Sequence, residues 1–80
     1  MKGQPMIEFH YGSESLGIKL VLEWNRHRTI NVYKNGENID CFTMGTHVPS
    51  IRYVLDWCDK KAEAILTDWI NSMDEESANA

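Results

Sequence analysis

The chain has little of what marks most specialised proteins. Only two of its 80 residues are cysteine. Cys41 and Cys58 have no zinc-type spacing, so neither a disulfide framework nor a zinc finger is expected. Both are expected to be buried, reduced thiols acting as small hydrophobes. A Cys41–Cys58 bridge is the alternative, because both fall on inward-pointing positions of the arrangement derived below. No apolar run approaches the roughly 18 residues needed to cross a bilayer. The N-terminus lacks a basic region followed by an apolar stretch, so no secretory leader is expected and the expected location is the cytoplasm. Positive charge is also scarce: 8 Lys and Arg stand against 12 Asp and Glu, a net charge of −4. An acidic chain is repelled by phosphate backbones, which argues against general nucleic-acid binding and favours a basic partner.

The excess charge is unevenly placed. Residues 1–47 hold five basic and five acidic side chains, whereas residues 48–80 hold three and seven. The hydrophobic pattern changes near the same point, from period two to a helical period. Asn35-Gly36 is a strong hairpin signal, because a type I′ turn needs positive φ at both central residues. Centring the turn there pairs Lys34 with Glu37, Tyr33 with Asn38, Val32 with Ile39 and Ile30 with Cys41. Val32, Ile39, Ile30 and Cys41 then share one face. Upstream, Ile18, Leu20 and Leu22 alternate with Lys19, Val21 and Glu23. Pairing Leu22 with Ile30 and Leu20 with Val32 requires an odd-length turn over Asn25-Arg26-His27. Ile7, Phe9 and Tyr11 pair in turn with Leu22, Leu20 and Ile18.

Ser50 is a candidate N-cap for a helix that follows Pro49. Ile51, Val54, Leu55, Cys58, Ala62, Ile65, Leu66, Trp69 and Met73 recur at three- and four-residue steps, forming an apolar stripe about six turns long. The expected fold is α+β, of order ββββα. A four-stranded antiparallel meander carries one long C-terminal amphipathic helix packed on one sheet face. A single domain over residues 1–73 precedes an acidic tail over 74–80, where carboxylates oppose the helix dipole.

Signals for chemistry are weak. The Gly12–Gly17 loop lacks the Gly-Lys-Ser/Thr ending of a phosphate cradle and joins two strands. Ser13, Ser15 and Ser50 have no nucleophile-elbow context. His10, His27 and His47 lie far apart and read as solvated surface histidines. No metal, cofactor or catalytic residue is expected. Two surfaces stand out instead. On the helix, Tyr53 and Trp57 project away from the core stripe, with Asp56, Asp59 and Glu63 along the adjoining flank. Aromatic anchors with an acidic rim suit a host protein with a basic surface. The alternative surface is the open sheet face, with Asn31, Tyr33 and Phe42 and a basic corner at Arg26 and Arg28. It could stack single-stranded nucleic acid or form a homodimer seam.

Four strands followed by one helix weakly resemble, over residues 7–70 and in topology only, single-stranded-DNA-binding transcriptional coactivator domains. The resemblance implies nucleic-acid binding on the sheet. Ile30-Asn31-Val32-Tyr33-Lys34-Asn35-Gly36-Glu37 also looks like small phage proteins. In general type the chain is similar to phage or mobile-element inhibitors of host defence, anti-CRISPR proteins included. The expected function is therefore a small non-enzymatic protein-binding module that acts by surface occlusion.

Overall fold

A computed structural model describes residues 6–45 and 49–79. The strands are β1 (Ile7–Ser13), β2 (Ile18–Trp24), β3 (Thr29–Lys34) and β4 (Glu37–Thr43), and α1 spans Ile51–Asn79. The strands form one antiparallel sheet in the order β1-β2-β3-β4, followed by the single helix. This is the expected ββββα architecture. Among the described residues no helix is long and apolar enough to cross a membrane. His47 and Ala80 lie outside the described residues.

The core forms where period-two faces of the central strands meet one stripe of the helix. Ile18, Leu20, Leu22 and Trp24 of β2, Ile30 and Val32 of β3, and Val54, Cys58 and Ala62 of α1 are buried. Full burial of a leucine such as Leu20 or Leu22 contributes about 2 kcal/mol. Trp24 extends the β2 alternation by one more inward position. Its indole N–H donates to the His27 carbonyl at 2.9 Å, so the buried ring keeps a polar partner.

The Asn-Gly turn forms as expected, with φ of 50° at Asn35 and 87° at Gly36. Asn35 also ties two hairpins together. Its side-chain oxygen accepts from the Lys19 backbone N–H at 2.9 Å, and its amide donates to the Gly17 carbonyl at 3.3 Å.

Three registers differ from expectation. β1 pairs Ile7 with Trp24, Phe9 with Leu22 and Tyr11 with Leu20. β2 pairs Leu22 with Val32 and Trp24 with Ile30. Each is two residues from the expected alignment, and a shift of two leaves every side chain on its intended face. In the β2–β3 connection, the Asn25 side-chain oxygen accepts from the backbone N–H of His27 and Thr29, and Arg26 takes a φ of 70°. That geometry centres the turn on His27 instead of Arg26.

The third difference changes faces. β3 and β4 keep Lys34 opposite Glu37 and Tyr33 opposite Asn38, but a bulge then sets Val32 against Asp40, Asn31 against Cys41 and Ile30 against Phe42. Asn38 supports the bulge by donating from its amide to the Val32 and Asp40 carbonyls at 3.1 and 3.2 Å. Phe42 therefore sits on the helix side, packed against the core, as does Met44. Cys41 moves to the open face and is exposed, while Cys58 is buried. Both thiols are free and on opposite sides of the sheet, so no bridge joins them.

Ser50 caps α1, its hydroxyl oxygen accepting from the Tyr53 N–H at 3.1 Å. The helix contains neither Gly nor Pro and continues past Met73 to Asn79, through residues expected as a tail. Strands of seven residues cover about 23 Å, whereas 29 helical residues span about 44 Å. The sheet therefore cannot cover the whole stripe. Ile51 and Leu55, expected within it, are exposed. The molecule measures 51 × 25 × 17 Å, and its radius of gyration of 14.4 Å exceeds the roughly 12 Å of a compact chain this long.

Candidate functional site

The aromatic pair of α1 lies on the flank facing β4. Tyr53 is 57% exposed. Trp57, one turn on, is half-buried because it meets Phe42 edge to face, with ring centroids 5.3 Å apart and an interplanar angle of 67°. The bulge that turns Phe42 inward thus creates the seat on which Trp57 rests. Lys61 covers both rings, its Nζ lying 4.6 Å from the Phe42 centroid and 5.6 Å from that of Trp57. Tyr53, Asp56, Trp57, Lys60, Lys61 and Ala64 enclose a shallow concavity of about 370 Å³. One wall is an aromatic ring fixed by packing, and the other is an exposed tyrosine.

The charges around this concavity are mixed. Asp56 pairs with Lys60 at 3.1 Å, an exposed i, i+4 pair of small energetic value. Asp59 leans towards the opposite sheet edge, where it accepts a 2.8 Å hydrogen bond from the Tyr11 hydroxyl of β1. Burial, that hydrogen bond and the Asp59 charge together raise the Tyr11 pKa well above the usual phenol range. Glu63 lines an adjoining groove of about 740 Å³ with Lys34, Ile39, Ala64 and Trp69. The five residues expected to act together are therefore divided. Tyr53, Asp56 and Trp57 share one concavity; Asp59 braces the helix on β1, and Glu63 belongs to the neighbouring groove.

Lys61 and Phe42 complete the site, and sequence reasoning did not place either there. The i, i+4 spacing of Trp57 and Lys61 was an available signal for the first. Nothing in the composition signals the bulge that brings in Phe42.

The open sheet face holds Asn31 and Tyr33 but not Phe42, so it offers one fewer aromatic ring than expected. Tyr33 donates to Glu23 at 3.3 Å, and the Glu23 charge raises the phenol pKa. Glu8, His10, Lys19, Val21 and Glu23 surround Tyr33 in a depression of about 290 Å³. Arg26 and Arg28 occupy the β2–β3 connection, where Arg28 donates to the Gly45 carbonyl at 3.2 Å. His10 approaches Glu8 at 2.9 Å. Among the described residues no group of three or more His, Cys, Asp or Glu side chains is placed to hold a metal ion.

Cys58 sits in the core beneath this flank. Burial first, and the Asp59 charge second, push its thiol pKa up to about 11. A thiol with that pKa carries little nucleophilic character near neutral pH. Comparison with protein-family models, with curated proteins and with solved structures finds no match to this chain.

Proposed function

We propose that this chain is a non-enzymatic protein-binding module whose contact surface is the Tyr53–Trp57 concavity of α1. It acts in the cytoplasm by occupying a surface of a partner protein, as small phage-encoded inhibitors of host defence do, anti-CRISPR proteins among them. The observation that carries this reading is the state of the two rings. Trp57 is held by Phe42 and Lys61 before any partner arrives, so little rotamer entropy remains to be lost on binding. Tyr53 beside it stays 57% exposed, and tyrosine and tryptophan dominate interface hot spots. The rim offers both signs of charge, through Asp56 on one side and Lys60 and Lys61 on the other. The partner surface it fits therefore combines an apolar recess with mixed charge.

The test is affinity capture from nuclease-treated lysate of the source cells, using wild-type and Tyr53→Ala baits in parallel. Tyr53 is exposed, so the variant keeps its circular dichroism spectrum. A stoichiometric protein recovered by wild type is expected to bind the variant about 30-fold more weakly, a loss of about 2 kcal/mol. Equal recovery by the two baits, or recovery that disappears with nuclease, would overturn the reading.

A further inference from the structure

The two edges of the sheet are not alike. β4 is interrupted by its bulge, whereas β1 pairs with β2 along its whole length without irregularity. β1 also contains no Lys, Arg or Pro, the residues that usually blunt an edge. Among the described residues no strand lies beyond it. The direction of its backbone groups follows from β2. The Lys19 carbonyl accepts from the Asn35 N–H at 2.8 Å, and just beyond the strand Asn25 donates to the Thr29 carbonyl at 3.1 Å. Odd-numbered residues of β2 therefore turn their backbone groups to β3, and even-numbered ones turn theirs to β1. Leu20 and Leu22 face Tyr11 and Phe9, so the N–H and C=O groups of Glu8 and His10 point outward.

We propose that this edge joins β1 of a second copy, antiparallel about a two-fold axis at Phe9, to make one continuous sheet. Three observations select the occupant and the register. The first is the backbone: outward groups must meet outward groups, so even-numbered residues face even-numbered ones. The second is charge. With the axis at Phe9, Glu8 of each chain faces His10 of the other. Within each chain His10 already bonds Glu8 at 2.9 Å, so the four side chains alternate around a square. An axis at Glu8 sets two carboxylates face to face, which is unfavourable. An axis at His10 leaves each Glu8 opposite Gly12.

The third observation is on the helix. α1 runs in the direction of β1: Trp57 meets Phe42, level with Ile7, and Trp69 meets Lys34, level with Tyr11. Asp59 accepts from Tyr11, and Leu55 lies one turn earlier on the same flank, about 6 Å back along the helix. Two strand residues cover about 7 Å, so Leu55 stands level with Phe9, at the axis. It is 45% exposed in the single chain. The backbone of α1 lies closest to β1 and β2. Strands about 4.8 Å apart then bring the two helices to about 10 Å across the axis, an ordinary packing distance. The two Leu55 side chains cover one another there. A bulged β4 ends the joint sheet on each side, so the pairing closes at two chains. Tyr53 and Trp57, on the far flank, stay free, and the dimer does not depend on the binding role assigned to them.

Sedimentation equilibrium and amide exchange read by nuclear magnetic resonance test the proposal. Wild type is expected to approach twice 9.3 kDa, and its Glu8 and His10 amides are expected to exchange at least tenfold more slowly than after dilution to monomer. His10→Pro removes an outward N–H and no backbone bond of the chain's own sheet. It is expected to weaken the dimer at least tenfold while its circular dichroism stays unchanged. Leu55→Glu, at an exposed helix position, is expected to weaken it by a similar factor. Tyr53→Ala is expected to remain dimeric, which separates this result from failure of the partner-binding role. A mass of 9.3 kDa at the highest soluble concentration would overturn the proposal. So would a dimer whose Glu8 and His10 amides exchange freely, or one indifferent to His10→Pro or to Leu55→Glu.

Discussion

At the scale of single residues, Cys41 and Cys58 show how a neighbourhood decides chemistry. The same side chain is exposed in β4 and fully buried in α1. Burial lifts Cys58 from an ordinary thiol pKa of 9.0 to about 11. Since the folded value lies above the unfolded one, the protonated thiol favours the folded state. Its contribution is fully present below pH 9 and is lost as pH rises from 9 to 11. Urea denaturation across that window is expected to show falling stability, with a shallower fall in Cys58→Ala. A disulfide-exchange reagent is expected to modify Cys41 promptly and Cys58 only at the rate of unfolding. Equal rates for the two thiols would contradict the burial described. Sequence reading placed Cys58 correctly, because helical periodicity put it on the core stripe. Cys41 went to the wrong face, because one additional residue in a strand reverses the alternation beyond it.

At the scale of elements, local signals with a steric cause were legible. Asn35-Gly36 is one: few other residue pairs accept positive φ at two successive positions, so the dipeptide identifies its turn. Ser50 is another, since a hydroxyl three residues before an orphan N–H caps it at low cost. Long-range alignment was less legible. The β1–β2 and β2–β3 registers both differed by two residues, because hydrophobic alternation fixes which face a residue occupies but not which neighbour it meets. That neighbour is set by turn detail, such as the Asn25 oxygen that receives the His27 and Thr29 N–H groups. Asn35 has a second role that no local pattern reveals, linking β2 and the β1–β2 loop through its side chain. Asn35→Gly preserves the positive φ and removes both side-chain hydrogen bonds. It is expected to lower stability by about 1–2 kcal/mol, read from the urea midpoint. An unchanged midpoint would show that the side chain contributes nothing beyond its turn conformation.

At the scale of the whole molecule, the mismatch between a short sheet and a long helix organises the surface. As far as Trp69, which lies against Lys34 of β3, α1 packs on the sheet and presents Tyr53 and Trp57 at its flank; ten further helical residues follow to Asn79. The candidate site was half legible. Exposed aromatic spacing identified Tyr53 and Trp57, but helical angle alone could not tell that Asp59 is drawn to Tyr11 at the far edge. The seat beneath Trp57 depends on Phe42, and so on the β4 bulge, which pairwise strand logic does not supply.

The same bulge bears on how the protein behaves in a crowded solution. β4 is an outer strand, with unpaired backbone groups along one side and side chains that are nearly all exposed. A straight strand of that kind is a template for fibrils. The two-against-one step at Ile39 kinks the template and interrupts the hydrogen-bond spacing an incoming strand would need. Asp40 adds a charge next to the step. Deleting Ile39 straightens the edge and is expected to shorten the lag before thioflavin-positive aggregates form, even where the monomer stays folded. An unaltered lag would assign resistance to aggregation to net charge instead. The residue that reverses the faces of Cys41 and Phe42 thus also makes the β4 edge a poor template for a further strand.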